Sequence, residues 1–529
     1  MFDFEGDLAP IGQSTVSLLA ATDIFFEESY WRDHLCFSWD FHTWRGPEEM
    51  SSFLQKLGHG CRFRRVSIDN SGDPDKRPAL VSADHYSNIR GVQLYIDIET
   101  IPERGRAWWK AFTIYTGLVE LRGHAKTIGR RRRSGHIHSL PGTATESDSW
   151  QRRRTAQKNF EGDSQPTVLV IGPGQAGLSA GARLTPIGLG DCWRTRYLRL
   201  VLHGPVWYNH MPYLPFPVSW PVFAAKDQVA EFLEAYGQLM ELNVWSSATL
   251  KRANCDGSSW EVTIEHHSEE GGIEVRTLRT HHIIQATGVN GEPKIPRIEG
   301  LSDFRGHICH SSQFSSAEPA TPTKQIVVVG TGVSGHDIAQ DFYGRGHHVT
   351  LVQRSPTCID TTAYVYGQGL YSEDGPAAED ADFLTHSVPL PLLNRREIEK
   401  TDQHMIENKE HFEGLEKAGF RVDRGPDGAG RKFKFLQYAG GSYIDVKQGA
   451  VARINLHSLL LDDGTKLPAD EIVFATGYSS MLATTRKIIG ADFTRQLKEV
   501  NFALCRYYSK ILAPQIKAIE DGIMRYEDL

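Results

Sequence analysis

Two glycine runs carry the clearest chemistry in this 529-residue chain: Gly172-Pro173-Gly174-Gln175-Ala176-Gly177 and Gly330-Thr331-Gly332-Val333-Ser334-Gly335. Both have the spacing GxGxxG. The first glycine permits a tight turn, the second lets backbone approach a pyrophosphate, and the third lets a helix pack closely on a strand, with the phosphates at the helix N-terminus. The spacing alone is weak. Here each run comes after a continuous apolar stretch (167–171 and 325–329), as expected of a strand buried on both faces, and each opens a helix.

The two runs lead into different segments. After the second, His348-Val349-Thr350-Leu351-Val352 reads as the next strand and ends in Gln353-Arg354 rather than an acid. An arginine there accepts the extra 2′-phosphate of NADPH, which a carboxylate would repel. After the first, the helix meets Pro186 and Gly188-Leu189-Gly190-Asp191-Cys192-Trp193-Arg194. No strand ending in a ribose-binding acid about 20 residues on fits there. Asp191 is the nearby acid, and Trp193 and Arg194 join it as candidate contacts. The candidate cofactor-binding residues are thus Gly172, Gly174, Gln175, Gly177, Asp191, Trp193 and Arg194 at one loop, and Gly330, Gly332, Ser334, Gly335 and Arg354 at the other. Two different dinucleotides in one chain imply electron transfer from the second to the first.

Two further segments share a strand-then-ATG form, 283–288 and 472–478, one downstream of each loop. They are expected to return the chain to the nucleotide sheets and add Thr287, Gly288, Thr476 and Gly477 to the candidate set.

Composition narrows the alternatives. The chain is 40% hydrophobic with a net charge of -7, which is globular and gives no reason to expect nucleic acid as the main partner. No apolar run is long enough to span a bilayer, and the first residues lack the order of a signal peptide, so a cytoplasmic location is expected. Seven cysteines are scattered singly, at 36, 61, 192, 255, 309, 358 and 505. The absence of CxxC pairs argues against a zinc site and a dithiol redox centre, so no metal is expected and reduced thiols are.

These elements predict an α/β chain: two Rossmann-like dinucleotide-binding domains, the second inserted in the first, preceded by a small α+β unit; the family resemblance set out below makes the first the FAD domain and the second the NADP domain. The expected boundaries are 1–122 for that unit, 123–163 for a basic linker containing Arg130–Arg133 and Arg152–Arg154, 164–320 and 441–529 for the FAD domain, and 321–440 for the NADP domain. Within the first unit, stretches near 12–26 and 47–57 read as helices, 92–99 as a strand of alternating apolar residues, 102–106 as a turn and 107–119 as a second strand. A single amphipathic helix is expected over 396–418, with Ile398, Met405, Phe412 and Leu415 on one face.

Between the glycine loops lies Phe304-Arg305-Gly306-His307-Ile308-Cys309-His310-Ser311-Ser312-Gln313-Phe314, which fits FxGxxxHxxx(Y/F) through Phe304, Gly306, His310 and Phe314. With the two loops and the ATG strands, it makes the chain from about residue 165 onward resemble the class B flavin-containing monooxygenases, in particular fungal members and the YUCCA-like indole-pyruvate monooxygenases. Residues 1–122 are similar to a SnoaL/NTF2-like cone, on Trp31-Arg32-Asp33 and Trp39-Asp40-Phe41. The resemblance implies FAD, NADPH and O2, a C4a-(hydro)peroxyflavin, and transfer of one oxygen atom to a small organic substrate, by N/S-oxygenation or oxidative decarboxylation of an α-keto acid. Baeyer–Villiger enzymes carry a close variant of the fingerprint and stand as the alternative. In Leu202-His203-Gly204-Pro205, His203 takes the place of the family's Asn or His beside the flavin, making it the candidate catalytic side chain. His310 is expected to orient backbone. The cone implies small-molecule binding or a homodimer.

The chain departs from the family at three joins: the strand lacking after the first loop, 446–449, where a connecting strand and helix are absent, and 498–501, where a Gly-rich turn is absent. They leave open a catalytically impaired or mis-spliced member with an incomplete FAD site.

Overall fold

The computed structural model describes most of residues 27–121, 150–445 and 468–525. Outside the described residues are 1–26, 58–61, 70–75, 83–89, 122–149, 161–163, 185–190, 268–271, 446–467, 481–485, 487–501, 526–529 and a few isolated or paired positions. The helix read near 12–26 and the last two family departures fall there. The described chain divides into two compact units, 1–149 with 379–396 and 507–529, and 150–378 with 397–506. The final segment thus groups with the N-terminal unit rather than with a nucleotide domain.

The first unit is built on a seven-stranded sheet. Its strands are β1 (Tyr30–His34), β2 (Phe41–Arg45), β3 (Arg62–Ile68), β4 (Ala79–Ser82), β5 (Arg90–Ile101), β6 (Glu103–Lys110) and β7 (Thr113–Leu121), with α1 (Gly46–Leu57) after β2. The order is β2-β1-β7-β6-β5-β3, with β4 also paired to β5. Among the described residues of this unit, the β1–β7 pairing is parallel and the other strand pairings are antiparallel. The stretch read as one strand over 107–119 is therefore two, and 103–106 belongs to β6 instead of a turn. Residues 111–112 are Ala-Phe, which carry none of the glycine, proline or asparagine chemistry that marks a turn.

Trp31 is fully buried and its indole N–H donates to Thr116 Oγ1 at 3.0 Å. Buried Asp33 accepts from the Phe37 amide at 3.1 Å and from the Thr116 hydroxyl. The Trp-Arg-Asp run is thus a core anchor on β1. Next to it, the Tyr115 hydroxyl lies 3.0 Å from His34 Nδ1, and both meet the hydroxyl of Tyr507. These groups line a cavity of about 40 Å³ with Tyr95, Phe383 and Ile511.

The second unit begins with the helix Trp150–Asn159, inside the expected basic linker. It contains β8 (Val168–Ile171), α2 (Gln175–Leu184), α3 (Asp191–Arg194) and α4 (Lys226–Leu239), then β9 (Ala248–Cys255), β10 (Trp260–His267), β11 (Ile273–Thr280), β12 (His282–Gln285) and β13 (Asn290–Pro293). Next come β14 (His307–His310), β15 (Gln325–Val329), α5 (Val333–Gly344), β16 (His348–Val352), β17 (Cys358–Thr361), β18 (Ser442–Asp445), β19 (Glu471–Phe474) and β20 (Tyr478–Ser480). β8 pairs in parallel with β12, while β14, β19, β15 and β16 form a four-stranded parallel sheet in that order.

Two expectations change here. Strand 471–474, assigned to the C-terminal FAD segment, hydrogen-bonds to β15 and β14 and so completes the sheet of the second loop. The helix expected over 396–418 is two, Leu390–Glu407 and Lys409–Lys417. Asn408 stands between them at φ -111° and its side-chain amide donates to the His404 carbonyl at 3.1 Å, closing the first helix. Met405, Phe412 and Leu415 still share one core with Ile338 and Val473. Among the described residues, no helix is long and apolar enough to cross a membrane.

Candidate active site

Both glycine loops are turns pressed against an ATG segment. Gly172 has φ +107°, and a β-carbon there would lie 2.5 Å from the Ala286 carbonyl oxygen. Gly330 has φ +118°, and its β-carbon would lie 2.3 Å from the Ala475 carbonyl oxygen. The strands are locked in the same way, with the Ala286 amide donating to Ile171 at 2.7 Å and the Ala475 amide to Val329 at 2.8 Å. The third glycines also match, since a β-carbon on Gly177 or Gly335 would meet the carbonyl oxygen of Gly172 or Gly330 at 2.0 Å. The small residue of each ATG therefore serves the close approach of the turn. Gly332, by contrast, faces open space, with nothing within 4 Å of where its β-carbon would stand. That is the position at which a pyrophosphate must come close.

The two loop helices are bridged by residues 197–206. Leu202 and Val206 pack in one core with Leu178 of α2, whereas Tyr197 and Leu200 pack with Ile338 and Phe342 of α5. His203 lies in this bridge, with Nε2 3.3 Å from Asp337 Oδ2. The same oxygen accepts the Tyr197 hydroxyl at 2.8 Å. Asp337 is buried in the first turns of α5, and burial together with that carboxylate pushes the Tyr197 pKa far up, keeping its proton available to donate. Tyr443 on β18 closes the cluster, stacked on His336 at 4.3 Å and edge-on to His203 at 5.8 Å. The candidate histidine is thus placed by the second loop's helix.

The fingerprint brackets the second ATG strand. A β-carbon on Gly306 would come within 2.2 Å of the Asp470 carbonyl oxygen, and Phe304 packs beside it. At the other end His310 Nε2 lies 3.1 Å from the Gly477 carbonyl oxygen, while its Nδ1 accepts the Ser312 amide at 3.1 Å. This pattern puts the proton on Nε2. Burial lowers the His310 pKa against the opposing pull of the Gly477 bond. Phe314 is buried in the core with Phe342. Thr476 donates to the Lys294 carbonyl, and the Lys294 amide donates to Gly477 at 3.0 Å, so the segments after the two ATG strands pair as β13 and β20.

Arg354 is exposed at the end of β16. Beside it, Arg421 donates to the Arg354 carbonyl at 2.6 Å and is bracketed by Gln353, which accepts its amide at 2.8 Å and donates to its carbonyl at 3.0 Å. Two guanidinium groups therefore stand where one was expected. Ser334 lies in the first turn of α5. Thr287 accepts the Gln285 side-chain amide at 2.7 Å, and Gly288 has φ +87° with open space around it.

The first loop is less complete. Gly174 accepts the Leu178 amide at 2.9 Å as α2 begins at Gln175. Among the described residues β8 has β12 as its strand neighbour, and the stretch holding Asp191, Trp193 and Arg194 is the short helix α3. Arg194 is occupied by Glu234 at 2.8 Å, and Trp193 packs between the two cores. Sequence patterns do not single out Asp337, Tyr197, Tyr443 or Arg421. Only Asp337 had a signal, an acid two residues beyond the third glycine.

Comparison with known proteins gives the family. The family described as "Pyridine nucleotide-disulphide oxidoreductase" matches residues 166–367. The chain is 29% identical over 353 residues to "Indole-3-pyruvate monooxygenase YUCCA1" of Oryza sativa subsp. japonica, covering 63% of this chain and 81% of that protein. It is 31% identical over 350 residues to "Indole-3-pyruvate monooxygenase YUCCA4" of the same plant, covering 60% and 74%. Among solved structures, "Flavin-containing monooxygenase from Stenotrophomonas maltophilia" aligns with 66% of this chain and 98% of its own at 19% identity and a TM-score of 0.42. Two backed glycine loops, a bracketing fingerprint and this level of identity make the chain a member of the flavin monooxygenase family that includes the indole-3-pyruvate monooxygenases.

Proposed function

We propose that the chain oxygenates a small organic substrate, with FAD on the Gly172 loop and NADPH on the Gly330 loop. The observation that carries this reading is the bridge 197–206, which packs on both loop helices and holds His203 against Asp337 of α5. The residues of the second loop fit a dinucleotide: the turn is glycine where φ is positive and the space at Gly332 is open. When bound, the flavin supplies the redox chemistry, accepting hydride from NADPH and activating O2. The amides opening α5 hold the pyrophosphate, and Arg354 with Arg421 holds the 2′-phosphate. Asp337, 3.3 Å from His203 Nε2, fixes its ring, while Tyr443 and Tyr197 pack around it.

The substrate is a soft nitrogen or sulfur nucleophile or an α-keto acid. Indole-3-pyruvate, named for the relatives, is the first to try. Purified protein should show the flavin bands in visible absorbance, and NADPH should be oxidised under air with conversion of the keto acid. A protein that stays colourless on adding FAD sinks the reading. It would favour an impaired member, a second reading supported by the lone β8–β12 pairing among the described residues. Conversion of a ketone to an ester would move the assignment to Baeyer–Villiger chemistry. For the first unit, the mixed sheet and its cavity support a SnoaL/NTF2-like cone.

A further inference from the structure

We propose that His307, Cys309 and Glu471 form a binding site for a divalent transition-metal ion of borderline softness, Zn2+ foremost. The parallel register of β14 and β19 sets His307 opposite Glu471, and Cys309, two residues on, shares the face of His307. Among the described residues, this is the group of three in which one donor atom from each side chain lies within 4.8 Å of the others. His307 Nδ1 and Glu471 Oε1 are already 2.9 Å apart. Ligands on a tetrahedral zinc at about 2.0–2.3 Å stand roughly 3.2–3.7 Å from one another, so small side-chain rotations suffice to close the site.

The donor set decides the ion. One imidazole nitrogen, one thiolate and one carboxylate oxygen suit zinc and not magnesium or calcium, which want oxygen alone. Burial is graded in a way that suits entry: Cys309 lies at the bottom, the Glu471 side chain is 12% exposed and the His307 side chain 63% exposed. Lys324 Nζ stands 3.9 Å from the second Glu471 oxygen, so it orients the carboxylate from outside the ligand set. The buried carboxylate of Asp360 offers a contrast, because Arg431 already neutralises it at 2.9 Å. Single, scattered cysteines gave no zinc spacing in the sequence. The site arises because strand pairing joins residues more than 160 positions apart.

The site sits at the start of β14 and β19, while the glycine loop and ATG segment lie beyond the ends of β15 and β19. A metal there staples the fingerprint strand to the ATG strand without touching the nucleotides. Binding replaces the thiol proton of Cys309 by the metal and releases that proton to solvent, while His307 binds through the lone pair of a ring nitrogen.

The test is calorimetric titration of the chelator-stripped full chain with ZnCl2, in two buffers of different ionisation enthalpy. One ion should bind per chain with one proton released. Loss of an outer partner costs at most about 100-fold in affinity. Cys309→Ser and His307→Ala should each weaken binding by more than that, and Cys309→Ser should abolish the proton release. NADPH affinity should be the same with and without the metal. Unchanged binding in His307→Ala, an exposed position that folds without difficulty, would mean an adventitious ion only and overturn the site. So would the absence of binding in the wild type.

Discussion

Gly330 and Gly332 are two residues apart in one loop, yet the structure gives them separable jobs. At Gly330 an alanine meets two obstacles. Its φ of +118° lies outside what L side chains adopt, and its β-carbon would sit 2.3 Å from the Ala475 carbonyl oxygen, a backbone atom fixed by the Val329 bond. Left-handed backbone costs about 1–2 kcal/mol and forced displacement of packed atoms about 1–3 kcal/mol, so Gly330→Ala should lose about 2–5 kcal/mol. At Gly332 the φ is -81° and nothing lies within 4 Å of the new methyl. The change costs no more than about 1 kcal/mol, the difference between glycine and alanine at a helix N-cap. The methyl does fill the approach to the pyrophosphate, so NADPH affinity should fall about tenfold or more, corresponding to a single lost charge-assisted contact of about 1.5–3 kcal/mol. Urea unfolding of the apoprotein read by circular dichroism gives the first quantity, and NADPH titration followed by fluorescence gives the second. If Gly332→Ala unfolds as early as Gly330→Ala, or binds NADPH as wild type does, the division of roles within the loop is wrong.

The same geometry leads to three further outcomes. Arg354→Ala should weaken NADPH about 10–100-fold while leaving NADH nearly unchanged, and Arg421→Ala should shift the same ratio less; equal losses for both nucleotides would mean that neither arginine reads the 2′-phosphate. Asp337→Ala removes the acceptor shared by Tyr197 and His203 and should cost about 1–3 kcal/mol in unfolding, with Asp337→Asn recovering much of it; an alanine variant as stable as wild type refutes the bridge. His210 is held at a pKa of about 4 by burial and by Arg506, and its Nδ1 accepts the Phe216 amide at 3.0 Å. The unfolded chain therefore takes up this proton first, near pH 6.5, so stability present above that pH should decline towards pH 4. His210→Asn should flatten that stretch of the unfolding-versus-pH curve, and a parallel curve would remove His210 as its cause.

Legibility in the sequence tracked the range of the interaction. Strand-turn-helix units are local: the apolar runs before Gly172 and Gly330 become β8 and β15, and each glycine run opens a helix, which begins inside the run itself at Gln175 and Val333. Turn chemistry was harder. Ala111 and Phe112 separate two strands without any residue that favours a turn, and the break at Asn408 interrupts an amphipathic pattern that both flanking helices continue. Least legible were contacts set by register between distant strands. Nothing near Glu471 announces that it faces His307, or that its strand belongs beside β15.

The ATG repeats show how far a local signal reaches when its reason is non-local. Their glycines stand in open space, and the tight contacts are at the preceding alanines, whose carbonyls receive the first glycines of the two loops. Gly477 instead turns its carbonyl to His310 and to the Lys294 amide, and that pairing carries the chain from one ATG segment to the other. The motif is therefore half of a two-part joint whose other half lies up to 145 positions away, between Gly330 and Ala475. A bulkier residue at Ala475 would act on the Gly330 turn as directly as a change in the turn itself. Ala475→Val should accordingly reproduce part of the Gly330→Ala loss, and the double substitution should lose less than the sum of the two, because both changes strain one contact. Strict additivity in the urea midpoints would show that the loop and the ATG strand are not mechanically joined.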